Sequence, residues 1–212
     1  MTGVKICGLT TAPTVAAALD GRASHLGFMF FAKSSRNIAA DAAFNLAQPA
    51  RGKAKIVAVT VDPDDNLVDE LRDALQPDFI QLHGKETPAR ARAIGQRSGI
   101  RVIKVVSVQD AYDLARARHY ETVVDHLMFE GKAPPGSPTP GGVGATFDWS
   151  LLIGARFQRP WFLAGGLDPW NVTDAIRLSG APLVDVSSGV ERGPGLKDPA
   201  LITAFLEAAR RA

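Results

Sequence analysis

One cysteine and a few charged residues have the types and positions that acid–base chemistry requires. Cys7 ends the apolar run Val4–Cys7 and is followed by Gly8. If this run is a strand, Lys5 and Cys7 share a face because side chains alternate along a strand. A neighbouring ammonium group favours the thiolate and lowers the pKa of a thiol, so Cys7 is a candidate general base. The alternative is that this lone cysteine is only a small buried hydrophobic residue.

Other polar residues interrupt apolar runs farther along the chain. Asp125 is predicted to end the sixth run, where it would be an acid across from Cys7. Lys104 and Asp185 lie within the fifth and eighth runs. If these faces point inward, two lysines and two aspartates lie in or near one barrel mouth, where a charge is costly unless it is paired. Internal Lys–Asp pairs without a catalytic part remain an equal alternative for Lys5, Lys104 and Asp185.

Arg36 and His83 are candidates for binding rather than for proton transfer. Arg36 lies in the connection after the second run, and its planar guanidinium can grip a carboxylate with two hydrogen bonds. His83 shares a face with Gln81, and a supporting hydrogen-bonded role is preferred to that of proton carrier. The histidines at 25, 119 and 126 form no metal-like spacing with Cys7 or with one another, so no metal site is expected.

Two turns of small residues near the end of the chain predict an anion site. The run Trp161–Ala164 opens into Gly165-Gly166, and the run Leu183–Val186 opens into Ser187-Ser188-Gly189. Such turns leave backbone N–H groups free for a phosphate. In (β/α)8 barrels the loops after the last two strands commonly form this cup together with a short extra helix, which Gly189–Glu191 would begin.

Eight short apolar runs alternate with stretches of helical period. This alternation predicts a parallel sheet with helical crossovers, and eight units favour a closed barrel over an open sheet. No GxGxxG follows the first run, which weakens a dinucleotide-binding fold. The expected fold is an α/β protein, a single (β/α)8 TIM barrel over residues 1–212. Its predicted strands are Val4–Cys7, Leu26–Phe31, Ile56–Val61, Phe79–Leu82, Val102–Val106, Thr122–Leu127, Trp161–Ala164 and Leu183–Val186.

Two irregular connections follow the second and sixth runs. Phe31–Ile38 is the first, and Phe129–Phe147 is long and rich in Gly and Pro. Both would lie at the carboxyl-terminal end of the strands, where barrel active sites are found. A long loop of this kind is usually a lid or a binding loop, and a disordered surface insertion is the alternative.

The bulk composition excludes several classes of function. A net charge of +2 with scattered basic residues argues against nucleic acid. No apolar run approaches the ~20 residues that a membrane span needs, and the first residues do not resemble a signal peptide. One cysteine cannot form an internal disulfide, so a reducing cytoplasm is expected. The expected partner is a small phosphosugar, and the chain is expected to be a monomer or a homodimer.

Six motifs in order give the sequence a resemblance to a known family. They are VKICGLT at 4–10, GFMFFAKSSRNI at 27–38, IQLHGKETP at 80–88, GGVGATFDW at 141–149, LAGGLDPWNV at 163–172 and DVSSGVERGPGLKD at 185–198. Nearly the whole chain resembles the phosphoribosylanthranilate isomerases of tryptophan biosynthesis.

The resemblance implies a cofactor-free and metal-free Amadori rearrangement of N-(5-phosphoribosyl)anthranilate. Asp125 would then protonate the ribose ring oxygen and open the ring to a Schiff base. Cys7 would take the C2 proton, and Arg36 would hold the anthranilate carboxylate. The phosphate would be bound by the two turns already described, with Asp185 orienting the second.

The sequence also departs from the family pattern, and two other functions compete. KSSR replaces the usual KSPR around Arg36, and Val143 and Ala145 replace a hydroxyl residue and a lysine. A barrel isomerase of a related bisphosphate would need a second Gly-rich cup, but the connection after the third run is acidic (VTVDPDDN). A ligand-binding barrel without catalysis would not need Cys7, Arg36 and Asp125 together.

Overall fold

Eight parallel strands close into one barrel in the order of the chain. The computed structural model describes residues 2–134, 136–137 and 144–212. The barrel strands are β1 (Gly3–Cys7), β2 (His25–Phe30), β3 (Lys55–Thr60), β4 (Phe79–Leu82), β5 (Arg101–Val108), β6 (His126–Gly131), β7 (Trp161–Leu163) and β8 (Leu183–Val186). The prediction of a (β/α)8 barrel is confirmed.

Helices cross over between most consecutive strands and cover the outside of the barrel. A 3-10 turn, Trp149–Leu152, lies in the described part of the β6–β7 connection. The last helix follows β8 and contacts the first. The helices are α1 (Ala12–Asp20), α2 (Ala40–Ala47), α3 (Asp65–Glu70, extended by a π turn to Leu75), α4 (Pro88–Ser98), α5 (Ala111–Ala117), α6 (Val172–Ser179) and α7 (Pro199–Arg210).

Side-chain caps fix where several helices begin. Thr87 accepts a hydrogen bond from the Arg90 amide, and Asp198 accepts one from the Ala200 amide. In both helices proline occupies the first helical position, where a missing N–H costs nothing. The caps therefore set the lengths of the connections that precede these helices.

The alternation of side chains along the strands produces two apolar layers. One set of residues fills the inside of the barrel and includes Val57, Val59, Ile103, Val105 and Met128. The residues between them pack outward against the helices and form the larger cluster. The interior is therefore a packed core rather than a pore.

Aromatic rings close the amino-terminal end of the barrel. His25, Phe79 and His126 begin their strands, and Phe162 lies beside them. Neighbouring ring centroids in this group are 4.9–6.4 Å apart, mostly in tilted or edge-to-face arrangements. Because these rings fill the amino-terminal end of the barrel, its interior opens toward the carboxyl-terminal end.

A small hairpin follows β8 at the carboxyl-terminal end. After a 3-10 turn at Ser188–Val190, β9 (Glu191–Gly193) pairs antiparallel with β10 (Leu196–Lys197). The sequence predicted a short helix here, and only its first turn is present. The hairpin places charged side chains over the barrel mouth.

Candidate active site

Cys7 lies at the mouth of the barrel, within a buried group of charges. It ends β1 and is 4% exposed. The Lys5 Nζ donates a hydrogen bond to Asp185 Oδ1 over 2.8 Å. Gly27 faces Cys7 across the β1–β2 pair; a Cβ on it would lie 3.0 Å from the Lys5 Nζ and 3.1 Å from the Cys7 Sγ. Because Gly27 has no side chain, the Lys5 ammonium group and the Cys7 sulfur can lie next to each other beside it.

The prediction that Lys5 leaves Cys7 with a lowered pKa is wrong in its net direction. Burial is the largest effect and raises the pKa of the Cys7 thiol. The charge of Lys5 and its hydrogen bond oppose this, whereas Asp185 adds to it. Lys5 therefore limits the rise in the Cys7 pKa without reversing it.

The structure contradicts the predicted position of Asp125. The residue precedes β6 and lies at the amino-terminal end of the barrel, opposite to Cys7. Its carboxylate accepts a hydrogen bond from the Val102 amide over 2.8 Å, at the start of β5. Asp125 therefore joins two strands at the closed end of the barrel and cannot act on a substrate at the open end.

Glu130 occupies the place that the sequence analysis gave to Asp125. It lies one residue before the end of β6 and is 6% exposed. It shares the inward face with Met128 and lines a pocket together with Gly165, Gly166 and Asp185. The signal in the sequence is an acidic residue that closes the apolar run HLMFEG. We missed it because the strand was predicted four residues too early.

Lys104 was also predicted on the wrong face. Ile103 and Val105 point into the barrel, so Lys104 between them points outward. The Lys104 Nζ lies 2.7 Å from a carboxylate oxygen of Glu86 and also bonds to the Gly84 carbonyl. The mouth therefore contains one lysine and one aspartate of the predicted four residues, Lys5 and Asp185.

His83 is directly bonded to Glu130. The His83 Nε2 and the Glu130 Oε2 lie 2.6 Å apart and form a short hydrogen bond. Behind it, the Gln81 Nε2 lies 3.4 Å from the His83 Nδ1. His83 can therefore orient the carboxyl group of Glu130.

Arg36 reaches the mouth from the loop after β2. Its side chain crosses Gly8, where a Cβ would lie 2.6 Å from the Arg36 Cδ. The Nε and Nη2 donate to the two carboxylate oxygens of Glu191 over 2.7 and 2.8 Å. Burial lowers the pKa of Arg36, but Glu191 and, more weakly, Cys7 and Glu130 raise it above its usual value. The guanidinium is therefore always charged and lies close to both candidate catalytic groups.

The two predicted small-residue turns meet in one pocket. Gly165 and Gly166 adopt φ values of 84° and 65°. The pocket, called the anion cup below, is lined by Glu130, Gly144, Gly165, Gly166, Leu167, Asp185, Val186, Ser187 and Ser188. A Cβ on Gly189 would lie 1.9 Å from the Leu167 carbonyl oxygen, so Gly189 holds the turns against each other instead of lining the pocket.

The pocket also connects to Cys7 and to the connection after β6. The Ser187 Oγ donates to the Cys7 carbonyl over 3.2 Å. A Cβ on Gly166 would lie 2.1 Å from Thr146 Cγ2, so the described end of the β6–β7 connection packs on the cup. Ala145 lies against Gly165 through its backbone oxygen, whereas Gly141–Val143 lie outside the described residues.

The described residues contain neither a candidate metal site nor a helix that could span a membrane. Within them, no group of three or more His, Cys, Asp or Glu side chains could hold a metal ion. No helix in the same ranges is long and apolar enough to cross a bilayer. The fold and site together define a (β/α)8 barrel with a cysteine and a glutamate as candidate acid–base groups beside a pocket of small-residue turns.

Comparison with known proteins identifies the family. The family model for N-(5'-phosphoribosyl)anthranilate (PRA) isomerase matches residues 4–208. The N-(5'-phosphoribosyl)anthranilate isomerase of Caulobacter vibrioides is 60% identical over 211 residues, which are 99% of this chain and 96% of the relative. The chain belongs to the N-(5'-phosphoribosyl)anthranilate isomerase family and is an isomerase of tryptophan biosynthesis.

Solved structures agree with this assignment. The phosphoribosylanthranilate isomerase of Thermotoga maritima superposes with a TM-score of 0.88 at 34% identity, with 100% of each chain covered. A phosphoribosylanthranilate isomerase solved in complex with reduced 1-(o-carboxyphenylamino)-1-deoxyribulose 5-phosphate gives a TM-score of 0.86 at 33% identity, again with 100% coverage of both chains. The recognition made from the sequence motifs is confirmed.

Proposed function

We propose that this chain catalyses the Amadori rearrangement of N-(5'-phosphoribosyl)anthranilate with Cys7 as general base and Glu130 as general acid. The observation that supports it is the shared pocket. Glu130 lines the anion cup directly, and Cys7 is tied to the same cup through Ser187 and through the Lys5–Asp185 pair. A sugar with its phosphate in the cup would present its ring to both groups.

The first step is the opening of the ribose ring. A proton passes from Glu130 to the ring oxygen, the C1–O bond breaks, and the nitrogen lone pair forms a C1=N double bond. The hydrogen bond to His83 keeps the carboxyl group of Glu130 in place for this transfer. The product of this step is a cationic Schiff base.

The second step is the removal of a proton from C2. The Cys7 thiolate takes this proton, the C–H electrons form a C1=C2 double bond, and the electrons of the C=N bond return to nitrogen. The positive charge of the Schiff base favours the thiolate as Lys5 does. The enolamine then becomes the ketone when C1 gains a proton and the C2 hydroxyl group loses its own, which leaves a C2=O double bond.

Binding is assigned to the two ends of the substrate. Arg36 is proposed to bind the anthranilate carboxylate through the Nη1–Nη2 edge, because the other edge binds Glu191. The phosphate is assigned to the amides of Gly165-Gly166 and Ser187-Ser188, with Gly189 joining the two turns and Asp185 held beside them by Lys5.

The test of the function is a fluorescence assay. Freshly prepared N-(5'-phosphoribosyl)anthranilate is mixed with the purified chain, and the loss of anthranilate-type fluorescence is followed. We expect a decay that is first order in enzyme and independent of added chelator. A substrate consumed only at its spontaneous rate would contradict the proposal.

The setting of the enzyme is also proposed. We propose that residues 1–212 act as one domain in the cytoplasm, because a thiol base requires a reducing compartment. A monomer and a homodimer are both compatible with the chain, and sedimentation velocity of the purified protein decides between them.

A further inference from the structure

A chain of buried charges lies between the two ends of the proposed substrate site. It begins at Arg36, whose guanidinium makes a two-point contact with Glu191 of β9. Glu191 in turn forms an ion pair with Lys197 of β10. The side chains of Arg36, Glu191 and Lys197 are 10%, 4% and 1% exposed. Such burial excludes the screening that makes surface ion pairs weak.

Lys197 extends this chain to the anion cup. Its Nζ donates to the Ser187 carbonyl oxygen over 3.1 Å and lies 3.3 Å from the Ser187 Oγ. Ser187 is the first residue of the second small-residue turn and lines the cup. An unbroken set of polar contacts therefore connects Arg36, the proposed carboxylate ligand, to the proposed phosphate cup.

The hairpin is fixed to both ends of this path. The Gly195 amide donates to the Glu191 Oε2 over 3.1 Å. Gly195 has a φ of 79°, and a Cβ there would lie 2.7 Å from the Ser35 carbonyl oxygen, so the hairpin tip packs on the loop that contains Arg36. The Asp198 amide donates to the Val190 carbonyl over 2.9 Å, which closes the base of the hairpin.

The charges in this path do not balance. Arg36 and Lys197 are cations, and Glu191 is the one carboxylate that bonds to both. Arg36 and Lys197 hold the pKa of Glu191 below its usual value against the effect of burial. Burial and Arg36 lower the pKa of Lys197, although Glu191 opposes them. Within this path, two cations therefore share one carboxylate.

We propose that Glu191 and Lys197 are positioning residues that hold the Arg36 guanidinium at a fixed distance from the anion cup, so that one substrate engages its carboxylate and its phosphate together. This inference rests on the proposed function, because it assigns the carboxylate to Arg36. Glu191 aims the guanidinium, and Lys197 sets the spacing between Glu191 and Ser187. A purely structural ion cluster would stabilise the barrel without discriminating between ligands.

The test compares two ligands that differ only in the carboxyl group. One is reduced 1-(o-carboxyphenylamino)-1-deoxyribulose 5-phosphate, and the other is its phenylamino analogue without the carboxyl group. For each variant, calorimetry gives the Kd of the analogue without the carboxyl group divided by the Kd of the ligand that has it. For the unchanged protein we expect a ratio of about 10–100, the size of a charge-assisted two-point hydrogen bond.

Glu191→Gln should reduce this ratio to about 3 or less, because the guanidinium is no longer aimed. In the same variant, kcat should fall less than kcat/KM, since Cys7 and Glu130 are untouched. Lys197→Met should weaken the binding of both ligands and also raise the Kd of inorganic phosphate. Glu191→Gln should change the Kd of inorganic phosphate by no more than about twofold. Glu191→Asp keeps the charge and shortens the side chain, so its ratio should lie between those of the unchanged protein and Glu191→Gln. It replaces Glu191→Gln as the test if that variant does not fold.

Glu86→Gln is the matched control. Glu86 is another buried glutamate in an ion pair, with Lys104, outside the barrel mouth. This variant should lower the unfolding temperature and leave the ligand ratio unchanged. An unchanged ratio in Glu191→Gln or Glu191→Asp overturns the inference. Failure of the unchanged protein to bind either ligand would instead overturn the proposed function.

Discussion

At the scale of single residues, the catalytic assignment depends on which acid lies at the open end of the barrel. Glu130 lines the anion cup and bonds to His83, whereas Asp125 bonds to the Val102 amide at the closed end. Both residues are acidic, and only five positions separate them in the sequence. Substitution can therefore distinguish the two roles directly.

We expect Glu130→Gln and Cys7→Ser each to reduce kcat by at least ~10²-fold, the usual contribution of a general acid or base. Asp125→Asn is the control, because the amide oxygen can still accept from Val102 and the residue is remote from the cup. It should retain kcat within about threefold. The measurement is the steady-state fluorescence assay. An inactive Asp125→Asn with normal stability, beside an active Glu130→Gln, would restore the original assignment.

The pairing of Lys5 with Asp185 should be visible in the pH dependence of activity. Lys5 lowers the pKa of the Cys7 thiol more than Asp185 raises it. The double variant Lys5→Met, Asp185→Asn removes both charges, which avoids leaving one buried charge unpaired. The limb of the kcat/KM profile that reports thiolate formation should then move to higher pH. A limb that stays in place, in a variant that remains folded, would show that Cys7 does not carry that ionisation.

At the scale of elements, the anion cup depends on glycines that pack closely against neighbouring segments. Gly165 has a φ of 84°, and a Cβ there would lie 2.5 Å from the Ala145 oxygen and 2.8 Å from the Gly131 nitrogen. Both contacts are with backbone, so they cannot be relieved by a side-chain rotation. A side chain here must separate the cup from β6 or from the segment Gly144–Thr146.

Gly165→Ala should therefore raise KM by roughly tenfold or more through loss of phosphate binding. Gly154→Ala provides a matched control, because Gly154 also has a positive φ of 70° but has nothing within 4 Å of its Cβ position. It should cost about 1 kcal/mol of stability from backbone strain alone. Equal KM values for the two variants would show that the cup tolerates the displacement.

The position of β6 shows how an element determines the site. Thr122–Leu127 was predicted as a strand because it contains consecutive β-branched residues. In the structure the Val123 and Val124 amides instead bond to the Tyr120 carbonyl and form a turn. The ladder begins at His126, opposite Ile103. The error of four residues moved the predicted end of the strand from Gly131 to Leu127, which left Glu130 outside the strand and placed Asp125 near its end.

At the scale of the whole molecule, the closed end of the barrel contains a titratable group that must stay neutral. His25 is 7% exposed among the rings of Phe79, His126 and Phe162. Burial, the charge of Lys5 and His126 lower the pKa of His25 to about 3. Its unfolded pKa is near 6.5, so between these values the unfolded chain binds more protons than the folded one. Stability must then fall as the pH decreases below 6.5.

We expect the free energy of unfolding to be about 2 kcal/mol lower at pH 5 than at neutral pH because of His25. This figure follows from about 1.36 kcal/mol for each pKa unit. Urea unfolding at several pH values measures this slope. His25→Gln should flatten the slope between pH 5 and 7, although it lowers stability at neutral pH. His119→Gln, at an exposed histidine, should leave the slope unchanged. A slope that is the same in both variants would contradict a neutral His25.

The sequence by itself determined the architecture, the family and most members of the site. The period-two and period-3.6 patterns of apolar residues that mark strands and helices are local features of the sequence. Eight alternations of the two patterns are compatible with few folds other than a barrel. Small residues such as Gly165, Gly166 and Ser187 were also recognisable, because close backbone approaches require them wherever the neighbours lie. Cys7 and Arg36 were found because their neighbouring motifs are distinctive.

Only the tertiary structure decided the rest. The end of β6, and with it the choice of Glu130 over Asp125, depends on hydrogen bonds to β5 that no local pattern encodes. The outward direction of Lys104 follows from the phase of β5, and the raised pKa of Cys7 follows from burial by the whole barrel. Glu191 bonds to Arg36 across 155 residues of sequence. Such effects sum over contacts between distant segments, so they exist only once the chain is folded.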